Sequence, residues 1–176
     1  MPTLCKMAYQ IGCSERRNHP LPPRTCFKLI EAYRSWEKRL QTLSKIDGYL
    51  AANRTIPPDV ELDGWVGAEW RYELRMLPEN LAHDIGWRIL PAIEAVYAPV
   101  SPQPYICDLV LQARCHAKKL TSSCETARSK IYSANSSRQA RRSQLAAARD
   151  LVNSALDWMQ DALWAAGIEE KRYRTA

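Results

Sequence analysis

At 176 residues, with a formal net charge of +6 and hydrophobic residues at 46%, the chain is long and apolar enough to bury one sizeable core, which excludes global disorder. It holds no run of about 18 apolar residues, so a helical membrane span is not expected. The opening MPTLCKMAYQIGCSERR lacks a sustained apolar stretch, so no secretory signal is expected, the compartment reads as cytoplasmic and reducing, and Cys5, Cys13, Cys26, Cys107, Cys115 and Cys124 read as free thiols.

Residues 1–23 end in His19-Pro20-Leu21-Pro22-Pro23 and read as an N-terminal arm. Residues 24–100 form a neutral helical part. Thr25 can cap a first helix running to about Asn53, with an apolar seam of Leu29, Tyr33, Trp36, Leu40, Leu43, Ile46 and Leu50 at steps of three and four. Residues 54–63 read as a loop around Pro57-Pro58. Trp65–Leu77 predicts a short helix stopped by Pro78, and Glu79–Tyr97 another, with Leu81, Ile85, Ile89, Ala92 and Val96 inward. Pro91 should kink that second helix, because proline removes a backbone donor and crowds the preceding turn.

Prolines are concentrated in the first 104 residues, so the rest of the chain is free to form long helices. Residues 101–167 read as a helical hairpin and 168–176 as a C-terminal tail. The first hairpin helix spans Gln103 to about Tyr132, with the seam Ile106, Val110, Ala113, Ala117, Leu120, Cys124, Ala127 and Ile131. Ser133-Ala134-Asn135 predicts a turn, and Ser136 with Gln139 has capping-box spacing for the next helix. The seam of that helix is Leu145, Ala148, Val152, Ala155, Met159, Ala162 and Ala166, and Gly167 is a natural stop. Leu151, Leu156, Trp158, Leu163 and Trp164 lie off this seam, which predicts either a central helix or a second interface. The fold class is all-α: a helical bundle of about five helices with a long C-terminal antiparallel helical hairpin.

The charge is unevenly distributed. Residues 111–149 hold nine cations, Arg114, Lys118, Lys119, Arg128, Lys130, Arg138, Arg141, Arg142 and Arg149, against the single acid Glu125. A solvated helix face normally interleaves Glu with Lys at i,i+4, and here that pairing is missing. Arg138 and Arg141 lie on the backward extension of the apolar seam. Arg138 also falls in a first helical turn, where the macrodipole disfavours a cation by about 0.3–1 kcal/mol. A local cost without a local partner predicts an external anion. The nine cations are therefore the candidate nucleic-acid-binding residues, and Tyr132, Asn135, Gln139 and Gln144 could add contacts to sugar or base. The charge coats the helices instead of drawing one stripe, and no helix-turn-helix, zinc-finger or RNP-type pattern is present. Backbone contact without sequence readout is the expectation.

Other constellations are thin. Asp59-Val-Glu61-Leu-Asp63-Gly64 resembles the start of a calcium loop, but Trp70 occupies the position that needs a bidentate Glu. Cys5, Cys13, His19 and Cys26 have zinc-ligand chemistry but match no tight knuckle spacing. Asp157 and Asp161 share a helix face at i,i+4 without a sequence neighbour to complete a metal site. His83-Asp84 and Cys115-His116 are chain neighbours whose side chains diverge on a helix. No phosphate loop or catalytic motif is present.

The expectation is a non-catalytic protein without cofactor or metal. It would be a small subunit of a ribonucleoprotein or nucleoprotein complex, holding RNA or DNA through a basic hairpin, with other protein subunits or a second copy as further partners and no membrane. The alternative is a protein–protein interaction module, such as a phage- or plasmid-borne inhibitor or an assembly component, whose basic surface meets an acidic protein.

Overall fold

Among residues 23–57, 70–97 and 106–168, which the computed structural model describes, every regular element is helical. Helix α1 spans Pro23–Ala51, α2 spans Trp70–Asp84, a π-turn covers Ile85–Ile89, α3 spans Leu90–Tyr97, α4 spans Ile106–Ile131 and α5 spans Arg138–Ala165. The expected arm up to residue 22, the acidic loop with Asp59, Glu61 and Asp63, and the tail from residue 169 lie outside the described residues.

The seams read from the sequence face inward. On α1, Leu29, Tyr33, Trp36, Leu43 and Ile46 are buried, and Leu40 and Leu50 pack half-buried against the core. α1 begins at Pro23, two residues before the expected Thr25 cap, because proline in a first turn forfeits no intrahelical bond. It ends in a Schellman motif: Asn53 adopts φ 56°, its N–H donates to the Leu50 carbonyl at 3.3 Å, and the Arg54 N–H donates to Tyr49 at 2.9 Å.

Pro78 does not stop a helix. It is buried inside α2, which continues to Asp84, so the expected break there is corrected. Packing of Leu74, Leu77 and Leu81 on the core outweighs the one hydrogen bond that proline removes. The irregularity falls instead just before Pro91. There the Leu90 N–H donates to the Ile85 carbonyl, five residues back, and the π-turn widens the helix next to the proline ring. Leu81, Ile85, Ile89, Ala92 and Val96 all stay buried across this turn.

α5 is the central element. Beyond its seam, Leu151, Leu156, Trp158 and Leu163 are also buried, and the helix packs mainly on α1 but also on α2, α3 and α4. This decides in favour of centrality over a second interface for those four residues; Trp164 stays 55% exposed. On α4, Leu109, Ala113, Ala117, Leu120, Cys124, Ala127 and Ile131 are buried, while Val110 is only half-buried, so the seam enters one residue earlier than expected. The cap of α5 also shifts by one: Ser137, not Ser136, accepts the Ala140 N–H at 3.2 Å. Gly167 adopts φ 76° and closes α5 in a second Schellman motif, with the Ile168 N–H bonded to Leu163 and Ile168 buried.

Candidate anion-binding surface

The nine basic residues of 111–149 split into two groups once the helices are packed. Arg114 Nε donates to Glu94 Oε1 at 2.7 Å, and Arg128 Nη2 pairs with Glu79 Oε1 at 2.7 Å. Arg142 Nε and Arg149 Nη1 share Asp47, reaching its two carboxylate oxygens at 3.0 and 3.2 Å. The expectation that these cations lack compensation is therefore overturned for four of the nine. Their acids come from α1, α2 and α3, up to 102 residues away in the chain, so no i,i+4 reading could find them.

Arg138 has an internal partner of another kind. Its guanidinium donates to the carbonyls of Leu50 and Ala51, at the C-terminal end of α1. That end carries the negative pole of the α1 macrodipole, which offsets the unfavourable place of Arg138 in the first turn of α5. The inference from Arg138 to an external partner is corrected accordingly.

Lys118, Lys119, Lys130 and Arg141 remain. Among the described residues none of the four makes an ion pair, and the three lysines are exposed. Lys130 lines an open trough between α4 and α5, with Ser122, Ser123, Thr126, Asp150 and Ser154. Arg141, half-buried, lines a smaller notch where α2 meets the α4–α5 turn, and there Arg71 and Arg75 of α2 join it. The notch encloses about 70 Å³ over a floor that includes Trp70, Leu74 and Ile131. The Arg71 guanidinium lies 5.6 Å from the Trp70 ring centroid. Its affinity for its proton is lowered, first by partial burial and then by the positive charges of Arg141 and Arg75.

The turn that walls this notch is braced internally. The Asn135 N–H donates to Ser133 Oγ at 3.3 Å, and the Ser137 N–H donates to Asn135 Oδ1 at 2.9 Å. Gln144 Nε2 donates to the Ser133 carbonyl at 3.3 Å. Asn135 and Gln144, expected to reach toward a ligand, thus first hold the turn itself.

Arg71 and Arg75 were not among the sequence candidates, because residues 1–110 balance their charges and give no local excess. Their i,i+4 spacing on α2 was the available signal. Comparison with protein-family models, curated proteins and solved structures finds no match to this chain.

The remaining constellations resolve as follows. Cys26 is buried and free, with its thiol pushed up to about 11 by burial, while Cys5, Cys13 and His19 lie outside the described residues. Asp157 and Asp161 do gain a histidine that the sequence did not place beside them. His116 of α4 stacks on Trp158 with ring centroids 5.1 Å apart and feels the Asp161 charge. Burial and then Asp157 raise the Asp161 pKa, and burial lowers that of His116. Among the described residues no group of three His, Cys, Asp or Glu side chains is placed to hold a metal ion. No described helix is long and apolar enough to cross a membrane.

Proposed function

We propose that the protein is a non-catalytic nucleic-acid-binding helical protein, a small cytoplasmic subunit of a ribonucleoprotein or nucleoprotein complex, that holds a phosphate backbone without reading its sequence. The observation that carries this reading is selective pairing. The fold neutralises Arg114, Arg128, Arg142 and Arg149 with its own carboxylates, yet leaves Arg71, Arg75 and Arg141 clustered around one notch without a carboxylate among the described residues. Clustered guanidiniums repel one another, and an arriving phosphate relieves that repulsion through bidentate, charge-assisted hydrogen bonds. Lys118, Lys119 and Lys130, exposed on α4, extend the positive surface.

In this reading α4 and α5 are the two arms of the antiparallel hairpin of a helical bundle, and its turn faces the strand. One trough lined by both helices, with Ser122, Thr126 and Lys130 from α4 and Ala147, Asp150 and Ser154 from α5, supports their lying side by side. The 26 and 28 residues of the arms give each a length of roughly 40 Å at 1.5 Å per residue.

The test is fluorescence anisotropy with single-stranded RNA and DNA across a salt series. Affinity should fall with a log–log slope near −0.7 per neutralised phosphate on a single strand. The triple variant Arg71→Glu, Arg75→Glu, Arg141→Glu should lose retention while its circular dichroism stays helical. A flat salt response, or undiminished binding by that variant, refutes the reading.

A second reading, a module that binds another protein, is favoured by Trp87. It is 78% exposed on the π-turn and stacks on His83 at a centroid distance of 6.0 Å. An exposed tryptophan held by a neighbouring ring is a typical anchor of a protein interface. Trp87→Ala should then abolish capture of a protein partner and leave RNA affinity untouched.

A further inference from the structure

The notch between α2 and the α4–α5 turn combines a small recess with three arginines. Arg71 and Arg75 enter it from adjacent turns of α2, and Arg141 from the first turn of α5. Its roughly 70 Å³ exceeds the 10–15 Å³ that a single water needs by about fivefold. That space has room for one phosphoryl group. The walls are held by contacts within the fold. The Ser133 carbonyl is fixed by Gln144, the Asn135 side chain is fixed on the Ser137 N–H, and Arg71 is braced on Trp70. The adjoining first turns of α5 add the positive end of a helix dipole.

Charge then separates two kinds of phosphate. An internal phosphodiester carries one negative charge, whereas a phosphomonoester carries about 1.5–2 at neutral pH. Three arginines in one recess exceed a diester's charge threefold and come closer to balance with a monoester. A strand contacted along its length is better served by separated cations, as the Lys118–Lys119 pair and Lys130 are, about three helical turns apart on α4.

We propose that the Arg71–Arg75–Arg141 notch is the site for the terminal phosphate of a nucleic-acid strand, an assignment that rests on the nucleic-acid reading above. The first nucleoside then lies outside the notch. Tyr72 and Tyr132, 55% and 44% exposed, each adjoin a lining residue in sequence; the Arg128 guanidinium lies 5.4 Å from the Tyr132 ring centroid, so Tyr72 is the candidate stacking surface.

The experiment uses the full chain and one RNA sequence of about ten nucleotides, the scale of a single-strand site. The RNA is prepared with a 5′-phosphate, with a 3′-phosphate, or with hydroxyls at both ends. One of the phosphorylated ends should bind about tenfold more tightly than the hydroxyl form, a step expected when a charge-assisted bidentate contact is added. At constant ionic strength, inorganic phosphate should compete with that end and leave binding of the hydroxyl form unchanged.

The variant Arg71→Gln, Arg75→Gln should erase the preference. Arg71→Lys, Arg75→Lys, which keeps the charge and removes the fork, should weaken it. Both arginines are exposed, and circular dichroism of each variant reports whether the fold is kept. Equal, salt-dependent binding of all three RNAs overturns the end-phosphate site and leaves the backbone reading standing. No binding of any of them removes both. An end preference that survives both variants places the phosphate elsewhere and overturns the assignment, as does tighter binding of a phosphoserine peptide than of the phosphorylated RNA.

Discussion

Asp47→Ala separates the stabilising arginines from the ligand-binding ones. Asp47 is the shared acceptor of Arg142 and Arg149, and its side chain is 20% accessible, against 44% and 37% for the two arginines. Partly exposed pairs of this kind contribute about 0.2–1 kcal/mol each after solvent screening. Arg149 Nε is already buried without a partner, so loss of its carboxylate weighs toward the upper end. The variant should lose about 1–1.5 kcal/mol by these magnitudes. At 2–4 °C per kcal/mol for a chain of this size, Tm should fall by about 2–6 °C. The same change releases Arg142, near the α5 N-terminus, and Arg149, about two turns further along the helix. RNA affinity should therefore rise while stability falls, and the salt slope should steepen by up to about 1.4 for two added phosphate contacts on a single strand. Thermal unfolding followed by circular dichroism, together with anisotropy at several salt concentrations, reads both effects. An unchanged Tm would refute the internal-pairing argument. A lower Tm with unchanged RNA affinity and slope would show that the released cations meet no polyanion.

Arg138→Ala should destabilise the protein by about 1–2 kcal/mol, since it uncaps the carbonyl end of α1, whereas Arg138→Lys should recover part of the loss; urea unfolding measures both. Trp36→Phe should cost about 1 kcal/mol in the same assay, because it removes the indole N–H donated to Asp84 at 2.6 Å but leaves Arg88 on that carboxylate. Leu120→Ala, in the buried seam of α4, should cost about 2–5 kcal/mol and lower the midpoint without changing the slope of the transition. Cys26 and Cys124 have thiols pushed up to about 11 and about 12 by burial, from an ordinary value of 9.0. Their contribution to stability is full below about pH 9 and is lost as pH rises toward 11–12, because the unfolded chain ionises first. Denaturation midpoints taken at pH 8 and pH 10.5 should show that decline, and the double replacement by Ala should flatten it.

Much of the helical framework was legible because it repeats. Leu29 to Ile46, Leu81 to Val96, Ala113 to Ile131 and Leu145 to Ala166 recur at steps of three and four, and burial follows that period in each case. Gly167 stopped α5 where expected, since a residue that accepts positive φ closes a helix at little cost. Pro78 escapes a local reading because its penalty is set against a tertiary gain that no local window contains. The candidate surface is the least legible part of the sequence. A cation excess counted along residues 111–149 gives each arginine the same weight, although Arg142 is held by Asp47 and Arg141 is not.

Local periodicity and backbone stereochemistry act within a few residues, so the all-α class, the inward faces and the C-terminal stop of α5 followed from the order of amino acids alone. Charge compensation acts through space. Whether a guanidinium is neutralised depended on α1, α2 and α3 bringing Asp47, Glu79 and Glu94 to α4 and α5, and on α2 placing Arg71 and Arg75 beside Arg141. A Coulomb interaction between groups up to 102 residues apart leaves no mark in the sequence pattern, and only the packed helices select which cations stay open to a ligand.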